Sequence, residues 1–117
     1  MRDLYDDDEL RERGKAFIAT RRWDTFAASE TGDELRGRVV PVIDEIRARH
    51  ADGTGKVVVA CHGGVINAII GHELGVEMDY FFKVAHCSVH RLRVGDDRLV
   101  IESINDTRHL IGELLTY

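Results

Sequence analysis

His62 closes the apolar run Val57-Val58-Val59-Ala60-Cys61 and is followed at once by Gly63 and Gly64. Beyond them, Val65, Ile66, Ile69 and Ile70 recur at helical spacing. A titratable imidazole therefore stands where an apolar strand turns into a helix. In open α/β sheets, ligands sit at such carboxyl ends of strands. The first N–H groups of the following helix lack intrahelical acceptors and favour an anion at the same spot. Gly63 and Gly64 carry no Cβ, so the backbone there can approach a bound group closely. The competing reading of the same residues is a histidine that only closes a tight turn.

The other chemistry-bearing residues converge less well. His86, Cys87, His90, Cys61, His62 and His72 invite a metal reading. If residues 86–94 form a strand, His86 and His90 share a face but stand about 13 Å apart. Zinc–nitrogen bonds of about 2 Å do not span that distance. His72 falls two to three turns along the helix from His62. No metal site is expected. Cys61 adjoins His62, and a thiol at a helix start has a lowered pKa, but neighbouring strand residues point to opposite faces. A buried structural cysteine is the expectation. Trp23, Phe26, Tyr80, Phe81 and Phe82 read as core or interface.

The elements that must hold His62 follow from patterning. Residues from about Asp7 to Arg22 form a first helix, with acids at its start and Arg21 and Arg22 at its end, matching the helix dipole. Its apolar face is thin: Leu10, Phe17 and Ile18. Thr31-Gly32-Asp33-Glu34 fits a capping box. The helix it opens runs to about His50 and aligns Leu35, Val39, Val42, Ile43 and Ile46, with Pro41 inside it as a source of kinking. Val57–Cys61 reads as a strand covered on both faces. The next helix, Gly64 to Leu74, ends at Gly75 as C-cap. Cys87–Val94 and Arg98–Ile104 form a hairpin around Gly95-Asp96-Asp97, and Thr107 to Leu115 closes the chain as a helix. The order is odd for an α/β domain. A doubly covered strand needs neighbours, and this pattern supplies only a hairpin.

With 117 residues, 44% hydrophobic and 32% charged, the chain is one domain of ordinary globular composition. A net charge of −5 with mixed signs argues against nucleic acid as partner. No apolar run reaches the roughly 20 residues of a membrane span. The start, Met1-Arg2-Asp3-Leu4-Tyr5-Asp6-Asp7-Asp8, lacks a signal-peptide core. Two cysteines make no disulfide framework, which points to a reducing cytoplasm.

Four stretches, in order, carry a family resemblance. Val57-Val58-Val59-Ala60-Cys61-His62-Gly63-Gly64-Val65-Ile66 resembles the second histidine motif of the histidine phosphatase superfamily, the phosphoglycerate-mutase-like proteins. Gly32-Asp33-Glu34-Leu35 with Arg38-Val39 resembles the acidic-start helix before that motif. Ala85-His86-Cys87-Ser88-Val89-His90-Arg91-Leu92 resembles its Asn-x-Ser-Val-x-x-Leu strand. Ile104-Asn105-Asp106-Thr107-Arg108-His109-Leu110 resembles its closing Asn-Asp-x-x-His-Leu. The likeness spans about Thr31 to Leu110. Cys61 stands where the family has serine, and His86 where it has asparagine.

The resemblance implies a three-layer α/β fold with a central parallel-type strand and a C-terminal hairpin. It also implies phosphomonoester hydrolysis through a phosphohistidine, with phosphoryl transfer between hydroxyls of a small metabolite as the rarer activity. No cofactor is implied. In this scheme His62 is the second, phosphate-binding catalytic histidine, and Gly63 and Gly64 admit the phosphate. The family's nucleophile lies in an upstream Arg-His-Gly, which this sequence does not contain. Arg49-His50-Ala51 ends a helix, and Arg108-His109-Leu110 belongs to the closing motif. The expectation is a single partial domain over 1–117, truncated at its N-terminus. Its partner would be a small phosphorylated metabolite or a phosphate or sulfate anion, with neither nucleic acid nor membrane, and a homodimer would cover its bare surfaces. The alternative from another class is a non-catalytic anion-binding or self-associating module. A structural fragment without a function of its own is the third.

Overall fold

A computed structural model describes residues 4–26 and 29–117; the first three positions of the N-terminal reading lie outside them. Helix α1 spans Asp7–Thr20. The Asp6 side chain caps it by accepting from Glu9 N–H at 2.8 Å. It stops before Arg22 because Arg21 turns left-handed, at φ 57°, and returns its N–H to Phe17 O. None of its residues is buried. Phe17 instead stacks on Trp23, with ring centroids 4.6 Å apart. Trp23 opens a short 3-10 turn, Trp23–Thr25.

Helix α2 spans Gly32–Arg49. Its capping box is complete: Thr31 Oγ1 accepts from Glu34 N–H, and Glu34 Oε2 accepts from Thr31 N–H. Pro41 does not interrupt the helix. Proline removes the ladder bond to the carbonyl four residues back. That carbonyl belongs to Gly37, which is exposed and open to water. Helix α3 spans Gly63–Leu74 and ends in a Schellman motif: Gly75 is left-handed, and Val76 N–H reaches Gly71 O at 2.8 Å. Helices α2 and α3 make the core, where Leu35, Val39 and Ala68 meet with Ile43, Val65 and Ile69 around them. Val42 and Leu74, expected on these apolar faces, are turned to solvent.

Strands β1, Val89–Val94, and β2, Leu99–Asp106, form an antiparallel hairpin. Gly95 N–H closes its turn on Arg98 O at 2.8 Å, and a Cβ at Gly95 would stand only 2.7 Å from that oxygen. The register slips between Val89 and Leu92, and Asn105 opposite takes φ 56°. The expected closing helix is reduced to a 3-10 turn, Gly112–Leu114.

The central parallel-type strand is the main correction. Among the described residues the sheet has two strands, both in the hairpin, and 56–61 belong to neither. A strand exists by pairing its backbone with a neighbour, and no described segment pairs with this one. Val57, Val58 and Val59 are consequently exposed, Val58 to 91%. The three-layer arrangement is likewise not assembled by the described residues, which give α/β content as two packed helices, an outlying helix and a hairpin.

Candidate functional site

The segment between α3 and β1 is held by two buried polar side chains. Asn67, 1% exposed, meets its full hydrogen-bonding capacity. Its amide donates to Gly63 O and Phe82 O, and its Oδ1 accepts from the N–H groups of Phe81 and Phe82. Asp79, 2% exposed, accepts from Trp23 N–H at 2.9 Å and from Arg36 Nη1 at 2.8 Å. Arg36 also reaches Asp33, and this ion pair heads the causes that raise its pKa, ahead of its contact with Asp79. Gly32 lies so close to Asp79 that a Cβ there would stand 1.8 Å from the carboxylate.

These fastenings set the surroundings of His62, which is exposed and is the N-cap residue of α3. Its carbonyl accepts the first ladder bond, from Ile66 N–H at 3.0 Å, and its side chain makes no capping bond. Among the described residues the N–H groups of Gly63, Gly64 and Val65 have no acceptor and project from the same end. Gly64 has open space where a Cβ would be. At Gly63 that space faces the Tyr80 hydroxyl and Val84, each 3.4 Å away. His62 and both glycines thus share one helix start, with Tyr80 beside Gly63. Sequence reasoning placed Tyr80 only in the core or an interface. It does pack edge-on to Trp23, centroids 5.6 Å apart, but its hydroxyl end also borders the site.

Cys61 departs from expectation, being exposed rather than buried. Partial burial pushes its thiol pKa up, opposite to the lowering a helix start would give. The remaining histidines are dispersed. His86, in the turn before β1 rather than on the strand, meets Thr116, and His109 Nε2 donates to Cys87 O. His50 Nδ1 lies 2.8 Å from Ile46 O. His90 is bonded through both ring nitrogens. No cluster suited to a metal ion occurs among the described residues. Two surface clefts lie against α3 away from its start. The larger, about 330 Å³, is lined by Arg22, Asp33, Arg36 and His72 among others and does not include His62.

The closing motif also takes definite form. Asp106 is held by Arg91 and by three nitrogens of Arg108. The Arg108 side chain is the leading cause that keeps the Asp106 carboxyl far below the usual carboxylate range. Asn105 Oδ1 accepts from Ala85 N–H, and its amide donates to Lys83 O.

A family model described as histidine phosphatase superfamily (branch 1) matches residues 3–107, and the chain belongs to that superfamily. The match extends upstream of the Thr31–Leu110 stretch that carries the motifs, taking in α1. No curated protein matches the chain. No solved structure matches it either. No helix is long and apolar enough to cross a membrane among the described residues.

Proposed function

We propose that this chain is a phosphomonoester hydrolase domain of the phosphohistidine type in which His62, Gly63 and Gly64 receive the phosphoryl group. The observation that carries the reading is the exposed His62 as N-cap residue of α3, next to three N–H groups that have no acceptor among the described residues, in a member of the histidine phosphatase superfamily. A histidine N–H donor and helix N–H donors both favour the oxygen-rich transition state of phosphoryl transfer. Their chemistry calls for no cofactor. The ligand is a small phosphorylated metabolite or the free phosphate or sulfate anion, handled in the cytoplasm.

Completing a phosphohistidine cycle requires a nucleophilic imidazole that attacks phosphorus as the ester oxygen leaves with its electron pair. The chain contains no Arg-His-Gly. His50, His86, His90 and His109 are each engaged in hydrogen bonds within the fold. His72 lies ten residues along α3, about 15 Å from its start. This arrangement favours a second reading, an anion-binding or self-associating module without turnover.

Hydrolysis of an aryl phosphate by the purified chain, with His62→Ala alongside and phosphate binding followed by calorimetry, decides between them. The hydrolase reading expects turnover that falls about 100-fold or more in His62→Ala. Phosphate binding lost in His62→Ala, with no turnover in either protein, selects the module. Neither binding nor turnover would refute both readings of the site.

A further inference from the structure

His90 sits on β1 within the slipped register, and its ring contacts fix its protonation state. Asn105 N–H lies 3.1 Å from Nδ1, and a backbone N–H can only donate, so Nδ1 must be an unprotonated acceptor. Nε2 therefore carries the proton and donates to Ser88 Oγ at 3.0 Å. Ser88 Oγ in turn donates to Ala85 O at 2.6 Å. The ring also meets Phe82 edge-on, centroids 5.9 Å apart. The chain of donors runs one way, from Asn105 through His90 and Ser88 to Ala85. The same Asn105 holds Lys83 O and Ala85 N–H with its side chain.

We propose that His90 is an acid-sensitive latch: as a neutral imidazole it fastens the 83–88 segment to the bulged β1–β2 pair, and its protonation unfastens it. A proton taken from solvent onto Nδ1 would set one N–H against another, with no acceptor between them. The Asn105 backbone N–H then loses its partner, and the left-handed Asn105 loses support for both of its side-chain bonds. Val84, inside the released segment, borders Gly63 together with Tyr80. The latch stands on these contacts whether or not the site at His62 turns over phosphate.

The charged groups on the elements around His90 are engaged elsewhere. Asp106 on β2 is held by Arg91 and Arg108, and Glu102 on β2 by Arg93. Lys83 on the loop stands over the Tyr117 ring. His86 meets Thr116, and His109 meets Cys87 O. Burial alone accordingly pushes the His90 pKa down. The sign follows. A histidine depressed in the folded state binds its proton more readily when unfolded, so its stabilisation is present above the ordinary value of about 6.5 and is lost as pH falls through the folded value.

Amide hydrogen exchange of the full chain at about pH 7.5 and about pH 5.5 reads the latch. Gly95 N–H, bonded at the hairpin turn, serves as internal reference. The expected result is that protection at Asn105 and Ala85, corrected for intrinsic rates and relative to Gly95, falls about tenfold on acidification. His90→Asn, whose Oδ1 can accept from Asn105 N–H without titrating, should show no such fall. An equal fall in the variant, or none in the native chain, would overturn the latch. Should the variant not fold, ring-nitrogen NMR of the native chain decides alone. An Nε2–H tautomer with a depressed pKa upholds the proposal; an Nδ1–H tautomer, or a pKa at or above the ordinary value, refutes it.

Discussion

Asp79 joins three stretches far apart in sequence: the turn at Trp23, helix α2 through Arg36, and the loop it belongs to. Gly32 supplies the space it occupies. A methyl at Gly32 would displace a short carboxylate that has little room to yield without giving up both bonds. Gly32→Ala and Asp79→Ala should therefore each cost about 1–3 kcal/mol, the range for losing charge-assisted hydrogen bonds. Both remove one network, so the double variant should cost clearly less than the sum. Urea unfolding of the four proteins checks this, and additive losses would show that Gly32 matters for some other reason. At this scale the placement of His62, Gly63 and Gly64 at a helix start was legible because the glycine pair and the apolar spacing after it are local. Asp79 and Asn67 were not, because their partners lie up to 56 and 15 positions away. A lone polar residue in a loop gives no local sign that it will be buried.

Among the elements, the helices reflect local rules. The Thr31–Glu34 box that opens α2 and the glycine that ends α3 are both visible in a few consecutive residues. Thr31→Ala should cost about 1 kcal/mol, the usual value of an N-cap, measured as a lowered unfolding midpoint in urea. An unchanged midpoint would mean that packing of α2 on α3 alone holds the helix start. The hairpin was legible for the same reason as the helices, since its turn and its alternation are local. The strand at 57–61 was read from an apolar run that presupposes neighbours. Periodicity reports what a segment needs to bury; pairing depends on what else is there.

The whole molecule carries that unmet need in its dimensions. Its radius of gyration is 16.3 Å, where a compact chain of this length would have about 13 Å. Its accessible surface is 8287 Å², against about 6,400 Å² for a folded monomer of 13.2 kDa. Exposed apolar side chains make up part of this surface, Val58 and Ile111 foremost. Such surface tends to be covered by association. The chain should self-associate with rising concentration, and Val58→Asp should shift sedimentation velocity toward the monomer. A native chain that stays monomeric throughout, or a variant that associates equally, would remove 57–59 from consideration as a contact. Sedimentation says only whether chains come together; whether the interior stays intact needs a separate signal, and Trp23 provides it. It is the only tryptophan, stacked on Phe17, edge-on to Tyr80 and tied through its backbone to Asp79. Its fluorescence is therefore a built-in optical gauge at the junction of α1, the Asp79 network and the loop that borders Gly63. It reports on their integrity without any attached dye.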